Sequence, residues 1–244
     1  MTSRRLPAVA FAFLLCTLAL LPWGAPAGAE EAREEKLARD VREVVKKLQA
    51  RYEQTRDLEA SFEQTTKIEG FATPITSSGR VYVKKPGRLR WDYLEPNVEE
   101  IYVDRNDVLI YVPEHKQVLV GKLTQMAASQ APLRLLQGAA KLEEHFDVHP
   151  DPSGARGEGG LPRLALHAKG LAEPGGEKTV EWIGVEVYPK THFIKTVAIH
   201  EVSGNVSTFR FTNIKANVGL KPGLFEFTVP EGVAVVKAPM LSQP

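Results

Sequence analysis

Cysteine is nearly absent: of 244 residues only Cys16 is one, and it lies inside the apolar run "AVAFAFLLCTLALL" near the start. That run of 14 residues falls short of the roughly 20 needed to cross a bilayer as a helix. With Arg4 and Arg5 before it and the small residues Ala27 and Ala29 after it, it reads as a secretory leader over residues 1–29, cleaved after Ala29. Leu14 and Leu15 stand where a lipid-attachment signal carries small residues, so Cys16 is not read as an anchor. Cleavage at Ala29 leaves no cysteine, which excludes disulfides, thiolate catalysis and sulfur-bound metals. The remaining 30–244 segment is long enough to bury one proper core without cross-links and is read as a single domain.

An excess of either charge is missing too. Taking the two leader arginines from 31 basic residues leaves 29 against 30 acidic ones, a net charge of −1. Such a balance argues against nucleic acid as a partner. The basic residues in "VKKPGRLRWDYLEP" (83–96) are therefore read as a solvated or docking strand face. Catalytic signatures are also lacking. No serine sits in a G-x-S-x-G elbow, and the glycines at 154–160 precede no Gly-Lys-Ser/Thr, so they cannot cradle phosphate in the P-loop manner and read as a mobile hairpin loop. His145, Asp147 and His149 are the best metal candidates, but residues four apart on a strand are separated by about 13 Å, too far to share an ion. Glu99/Glu100 and Glu143/Glu144 are neighbours in sequence, which on strands sends them to opposite faces as solubility charges. No enzyme, no cofactor and no metal site is expected.

What is present is periodicity. From Glu31 to about Leu58, Leu37, Val41, Val44, Leu48 and Tyr52 recur every three or four residues without Gly or Pro, the period of a long helix burying one stripe. The period then becomes two: "LEASFEQTTKIEG", "SGRVYVKK", "RLRWDYLE", "EEIYVD", "DVLIYVP" and "KQVLVGKL" alternate, with turn residues at Pro86-Gly87, Pro96-Asn97, "DRND" and "PEHK". "LTQMAASQAPLRLLQG" (123–138) interrupts them with helix-favouring residues and reads as one or two short helices. Strands resume at "HFDVHP", "RLALHAK", "VEWIGVEVYP", "FIKTVAIHEV" and "NVSTFRFTNIKAN", and "KPGLFEFTVPEGV" reads as a closing turn and edge strand. About ten or eleven antiparallel strands must curl or close, so the expected fold is mainly β (α+β), an incompletely closed barrel with helices over its open side.

Apolar residues on these strands exceed simple need: Leu89, Trp91, Tyr93, Ile101, Val103, Leu109, Tyr111 and Trp182, joined by Leu133 and Leu136 of the helical insertion. Two readings stay open at this level, an ordinary filled barrel core and an apolar ligand cavity.

The runs "LEASFEQTTK", "SSGRVYVKKPGRLRWDYLEP", "VEEIYVDRNDVLIYVPEHKQV", "APLRLLQG" and "LFEFTVPEGV", in that order and spacing, resemble the LolA family of periplasmic outer-membrane lipoprotein carriers. The resemblance implies an unclosed antiparallel half-barrel with a helical lid, whose interior holds acyl chains of lipoproteins. It implies a monomeric chaperone in the periplasm. Its partners would be acylated lipoproteins, an inner-membrane ATP-driven extractor of the LolCDE type and an outer-membrane acceptor of the LolB type. By position, Leu89, Trp91 and Tyr93 would be cavity wall and Leu133 and Leu136 lid residues. Lys85 stands where the family commonly has arginine, proposed there to hold the lid shut through backbone carbonyls. Lysine keeps the charge but not the planar fork, which leaves its role as lid latch or docking residue open. The alternative within the same fold is a periplasmic lipid or lipoprotein sensor.

Overall fold

The structure is a computed structural model that describes residues 27–122, 135–136, 141–169 and 179–237. It opens on helix α1, Ala27–Glu53, whose buried stripe is Val41, Val44, Val45, Leu48 and Tyr52. Leu37 is half-buried, and residues 30–36 are exposed. The helix stops well short of the expected Leu58, because competing partners take over its last turn. The Thr55 hydroxyl donates to the Arg51 carbonyl at 2.8 Å, the Thr55 backbone N–H turns back to Tyr52, and the Arg56 N–H is captured by Asn217 Oδ1 at 2.7 Å. The chain leaves this turn directly into strand β1, Asp57–Lys67.

Five strands then run as a meander: β2 (Ile75–Lys84), β3 (Arg88–Glu95), β4 (Glu99–Asp104), β5 (Asp107–Val112) and β6 (Gln117–Lys122). After the short helix α2, Leu142–His145, come β7 (Phe146–Pro150), β8 (Leu164–Ala168), β9 (Val180–Val187), β10 (Ile194–Glu201) and β11 (Val206–Ala216), with β12 (Ala234–Lys237) last. All twelve form one sheet in the order β12-β6-β5-β4-β3-β2-β1-β11-β10-β9-β8-β7. The longest pairings are those of β1 with β2 and with β11, so β1 is the spine where the two halves meet. The ends, β7 and β12, are not neighbours in the order: the sheet curls without closing.

The expected fold class is the observed one, an unclosed, mainly antiparallel sheet with few helices. Two details differ. The sheet has twelve strands, and its last pairing, β12 with β6, is parallel. The segment "KPGLFEFTVPEGV" holds a 3-10 turn at Pro222–Phe225 but not the edge strand, which begins at Ala234. A parallel partner cannot follow through a tight hairpin. Residues 217–233 therefore cross the outer face of β3–β5 as a strap, and Phe227 packs on Tyr102 at 5.2 Å and Tyr111 at 5.1 Å.

Strand alternation places one apolar set on the inner face. Phe62, Val81, Leu89, Trp91, Ile101, Val185, Val197, Phe209 and Phe211 join the α1 stripe and Leu135, Leu136 and Leu142 in one buried cluster. Leu109, Tyr111 and Trp182 do not belong to it. In β5 and β9 both alternating sets are rich in apolar residues, so the pattern cannot say which faces in. Val108 and Ile110, and Ile183 and Val185, take the inner face, leaving Tyr111 under the strap and Trp182 stacked on His200 at 3.7 Å outside.

The glycine-rich loop is not loose. Arg156 donates to the Gly160 carbonyl at 2.7 Å, while Arg163 and Lys195 reach the buried Glu186 at 3.2 and 2.9 Å and Lys195 also pairs with Glu158 at 3.0 Å. Burial raises the Glu186 pKa, but the hydrogen bonds from Lys195 and the Glu158 N–H, with the charges of Lys195 and Arg163, more than reverse this and hold the carboxyl below the ordinary glutamate range. A lowered folded pKa contributes stability that is complete above the ordinary range and lost as pH falls through the folded value. Glu186→Gln is therefore expected to flatten the acid limb of a stability-versus-pH profile measured by urea unfolding.

Gly79 lies opposite Phe62 at the β2–β3 register shift. A Cβ there would sit 1.9 Å from the Asp92 carbonyl oxygen and 2.8 Å from the Phe62 ring. Gly79→Ala is expected to cost about 2–3 kcal/mol of stability by overpacking, read as a lower denaturant midpoint.

Candidate functional site

The inner face is densest in rings around β3. Trp91 packs on Phe62 with centroids 4.4 Å apart, and edge-to-face on Phe209 at 5.6 Å and Phe211 at 5.9 Å. Tyr93 meets Phe62 edge-on at 5.1 Å and donates its hydroxyl to Gln64 Oε1 at 2.8 Å. Leu89 and Trp91 are 0% and 1% exposed, while Tyr93 is half-buried. Three of the expected wall residues thus share one face, and two of them are sealed from water. The indole Nε1 of Trp91 is buried with no acceptor in good hydrogen-bonding geometry, its polar neighbour being the Tyr93 hydroxyl. Toward the Tyr93 end the lining turns polar: an open groove of about 690 Å³ lies between Gln64, Thr65, Thr76, Ser77, Ser78 and Glu95.

The cover over this face is α1 together with Leu135 and Leu136, which are helical and 0% and 4% exposed. Leu136 thus joins the same cluster as Leu89 and Trp91; Leu133 lies outside the described residues. Among the described residues, few polar ties hold this cover in place. Tyr52 Oη accepts the Ile194 backbone N–H at 3.4 Å, Gln49 exchanges hydrogen bonds with Glu143, and Arg156 approaches Asp40 at 3.5 Å.

Lys85 makes a further tie. Its ammonium donates to the carbonyls of Tyr52 at 2.5 Å and Glu53 at 3.2 Å, both in the last turn of α1, where carbonyls lack intrahelical donors. Burial lowers the lysine pKa, and the charge of Glu53 works against that shift. Beneath it, Tyr52, Leu58, Val83 and Leu136 close around a crevice of only about 30 Å³.

The opposite face of β3 is not the solvated or docking surface its charges suggest. Arg90 pairs with Asp92 at 2.8 Å and Glu100 at 3.4 Å, lies 5.0 Å from the Tyr102 ring centroid and reaches the Leu224 carbonyl of the strap. Lys84 donates to the Leu220 carbonyl at 2.7 Å, and Arg88 lies 3.9 Å from Asp104. The strap brings carbonyls to these cations from more than 130 residues away, a juxtaposition that no local pattern encodes. Glu100 and Glu143 are likewise more than solubility charges, the first accepting the Tyr102 hydroxyl at 2.5 Å and the second tying α2 to α1.

His145, Asp147 and His149 do not converge; among the described residues no group of three His, Cys, Asp or Glu is placed to hold a metal ion. Among those residues, too, no helix is long and apolar enough to cross a membrane.

Comparison with known proteins adds to this geometry. The chain is 29% identical over 227 residues to an outer-membrane lipoprotein carrier protein of Methylococcus capsulatus (strain ATCC 33009 / NCIMB 11132 / Bath), covering 93% of this chain and 97% of the relative. It is also 29% identical over 164 residues to the outer-membrane lipoprotein carrier protein of Alkalilimnicola ehrlichii, covering 66% and 69% of the two chains. In fold it resembles the crystal structure of an uncharacterized conserved protein from Thermus thermophilus, with a TM-score of 0.51 at 12% identity, over 81% of this chain and 98% of that one. The family described as outer membrane lipoprotein carrier protein LolA matches residues 53–228, most of the sheet, the Lys85 turn and most of the strap, and the chain belongs to that family.

Proposed function

We propose that this protein is a periplasmic chaperone that takes lipoproteins at the inner membrane, shields their acyl chains between the half-barrel and its helical cover, and delivers them to the outer membrane. The observation that carries the reading is the sealed apolar face around Leu89 and Trp91, covered by α1 and the Leu135–Leu136 segment with few polar ties. Such a cover can lift without breaking a strand ladder.

The energetics define the task. Each methylene buried from water is worth about 0.8 kcal/mol, so a sixteen-carbon chain represents on the order of 12 kcal/mol. Acyl chains do not cross water unshielded at that cost, and loading from a bilayer has to be driven, which fits an ATP-driven extractor of the LolCDE type as donor and an acceptor of the LolB type. In this reading Leu89, Trp91 and Tyr93 form the wall and Leu133 and Leu136 the lid. The indole N–H of Trp91, with no acceptor but the Tyr93 hydroxyl near it, suits an ester carbonyl of the cargo, and the hydroxyl-lined groove past Tyr93 suits its polar head. Lys85 is the latch: its ammonium spans two carbonyls of α1, so the charge is kept where an arginine fork would have been.

Purified protein is expected to bind a fluorescent triacylated lipopeptide saturably and as a 1:1 complex; absence of saturable binding would sink the proposal. Trp91→Leu keeps an apolar side chain but loses ring area and the N–H donor, and is expected to weaken that binding about tenfold, near 1.4 kcal/mol, as read by fluorescence titration. Depletion in cells is expected to strand outer-membrane lipoproteins at the inner membrane; a purely transcriptional response would favour a sensor of the same fold.

Lys85→Met leaves the Tyr52 and Glu53 carbonyls without their ammonium donor. It is expected to destabilise the last turn of α1 by about 1–3 kcal/mol, seen as faster hydrogen exchange there and faster lipopeptide release. Lys85→Arg is expected to restore both. Unchanged exchange in the methionine variant would remove the latch from the scheme.

A further inference from the structure

A second groove lies outside the acyl space, where the β9–β10 turn meets β11 and the end of α1. It encloses about 370 Å³, within the range of about 300–1,000 Å³ typical of small-ligand sites. Tyr188, Pro189, Phe193, Ile214 and Ala216 supply apolar lining. The β1–β11 register shifts between Glu59 and Ser61, with Asn213 in the left-handed region at φ 52, and this irregularity allows Ile214 and Ala216 both to pack toward the core.

The polar lining is lopsided in charge. Arg51 lines the groove with its guanidinium over the Phe193 ring, 4.3 Å from the centroid. Its Nε is buried with no hydrogen-bond partner, and among the described residues Arg51 makes no ion pair. Lys190 and Thr191 line the same groove from the turn. The carboxylate there, Glu158, is already paired with Lys195 at 3.0 Å, and the nearby Lys47 is paired with Glu43 at 2.6 Å. Burial first, then the charges of Lys47 and Arg51, with Glu43 working against them, hold His192 below the ordinary imidazole range. A stacked guanidinium is a rigid donor suited to carboxylate or phosphate, and here it has apolar walls beside it and no paired anion among the described residues.

From this we infer that the groove is a binding site for a single-chain anionic amphiphile, its carboxylate or phosphate head on Arg51 and Lys190 and its alkyl chain along Phe193, Ile214 and Ala216. The groove shares no lining residue with the Leu89, Trp91 and Tyr93 wall, although Phe193, Ile214 and Ala216 also pack into the core that wall belongs to, and the inference does not depend on lipoprotein carriage. Because Arg51 immediately precedes Tyr52, whose carbonyl Lys85 holds, an occupant would add a contact to the turn on which the cover is fastened.

Backbone-amide NMR on the purified protein tests this site by site. Titration with sodium dodecanoate and with dodecyl phosphate is expected to shift the amides of Lys190, Thr191 and Asn213 saturably, whereas uncharged dodecanol leaves them in place. Response to one anion only would identify the head as carboxylate or phosphate and would support the site in either case. Arg51→Gln is expected to weaken binding about tenfold or more. Lys190→Gln, at an exposed turn position, is expected to weaken it about threefold and serves if the Arg51 variant unfolds. Shifts confined to the inner face around Trp91, equal binding of dodecanol, or unchanged affinity in both variants would overturn the inference. Loss of lipopeptide binding with these shifts retained would count against the carrier reading alone.

Discussion

The structure depends on how an open sheet covers its own apolar face. The sheet carries a continuous inner surface from Leu119 across Trp91 and Phe62 to Leu164, and because β7 and β12 do not meet, it cannot bury that surface by closing on itself. A five-residue stripe on α1, with the Leu135–Leu136 segment and Leu142, completes the burial. This contact is apolar and non-directional, which is what allows a cover to seal a face firmly and still be exchanged for another apolar occupant of similar area.

Directional bonds sit at the margin of this contact. The last turn of α1 presents carbonyls that no residue within the helix can satisfy. Thr55 takes the Arg51 carbonyl and Lys85 those of Tyr52 and Glu53, while Asn217 accepts the Arg56 N–H and donates to the Gln54 carbonyl just beyond the helix. Lys85 and Asn217 both come from the sheet side of the interface, so they couple helix termination to cover position. The outer face uses the reverse arrangement. There the strap drops backbone carbonyls onto Lys84 and Arg90, and Asp92 and Glu100 complete a compact charged layer. Burial raises the Asp92 pKa despite the hydrogen bond and charge of Arg90, so this layer fixes the path of the strap more than it adds stability.

The long helix and the strands of the meander were legible because each obeys one period: the α1 stripe recurs at three and four, and Leu89, Trp91 and Tyr93 at two. Legibility ended where both alternating sets are apolar, as for Tyr111 and Trp182, where only the neighbouring strands decide which set faces in. It ended also where a partner comes from far along the chain. The basic residues of "VKKPGRLRWDYLEP" look exposed in isolation, and only the strap from Leu220 to Phe227 shows Lys84 and Arg90 to be engaged. The glycine-rich loop looked slack for the same reason, since its anchors Glu186 and Lys195 belong to β9 and β10.

The sequence by itself determined the elements, the alternation that gathers Leu89, Trp91 and Tyr93 on one face, and the family, because these rest on local spacing and on the order of short motifs. Tertiary structure decided that Leu89 and Trp91 are sealed, that the Lys85 ammonium caps the end of α1, that the outer cations are strapped over, and that Arg51 has no paired anion among the described residues. Each of these depends on burial or on a partner distant in sequence. Burial and charge pairing are properties of what surrounds a side chain, and a one-dimensional pattern carries no record of those surroundings.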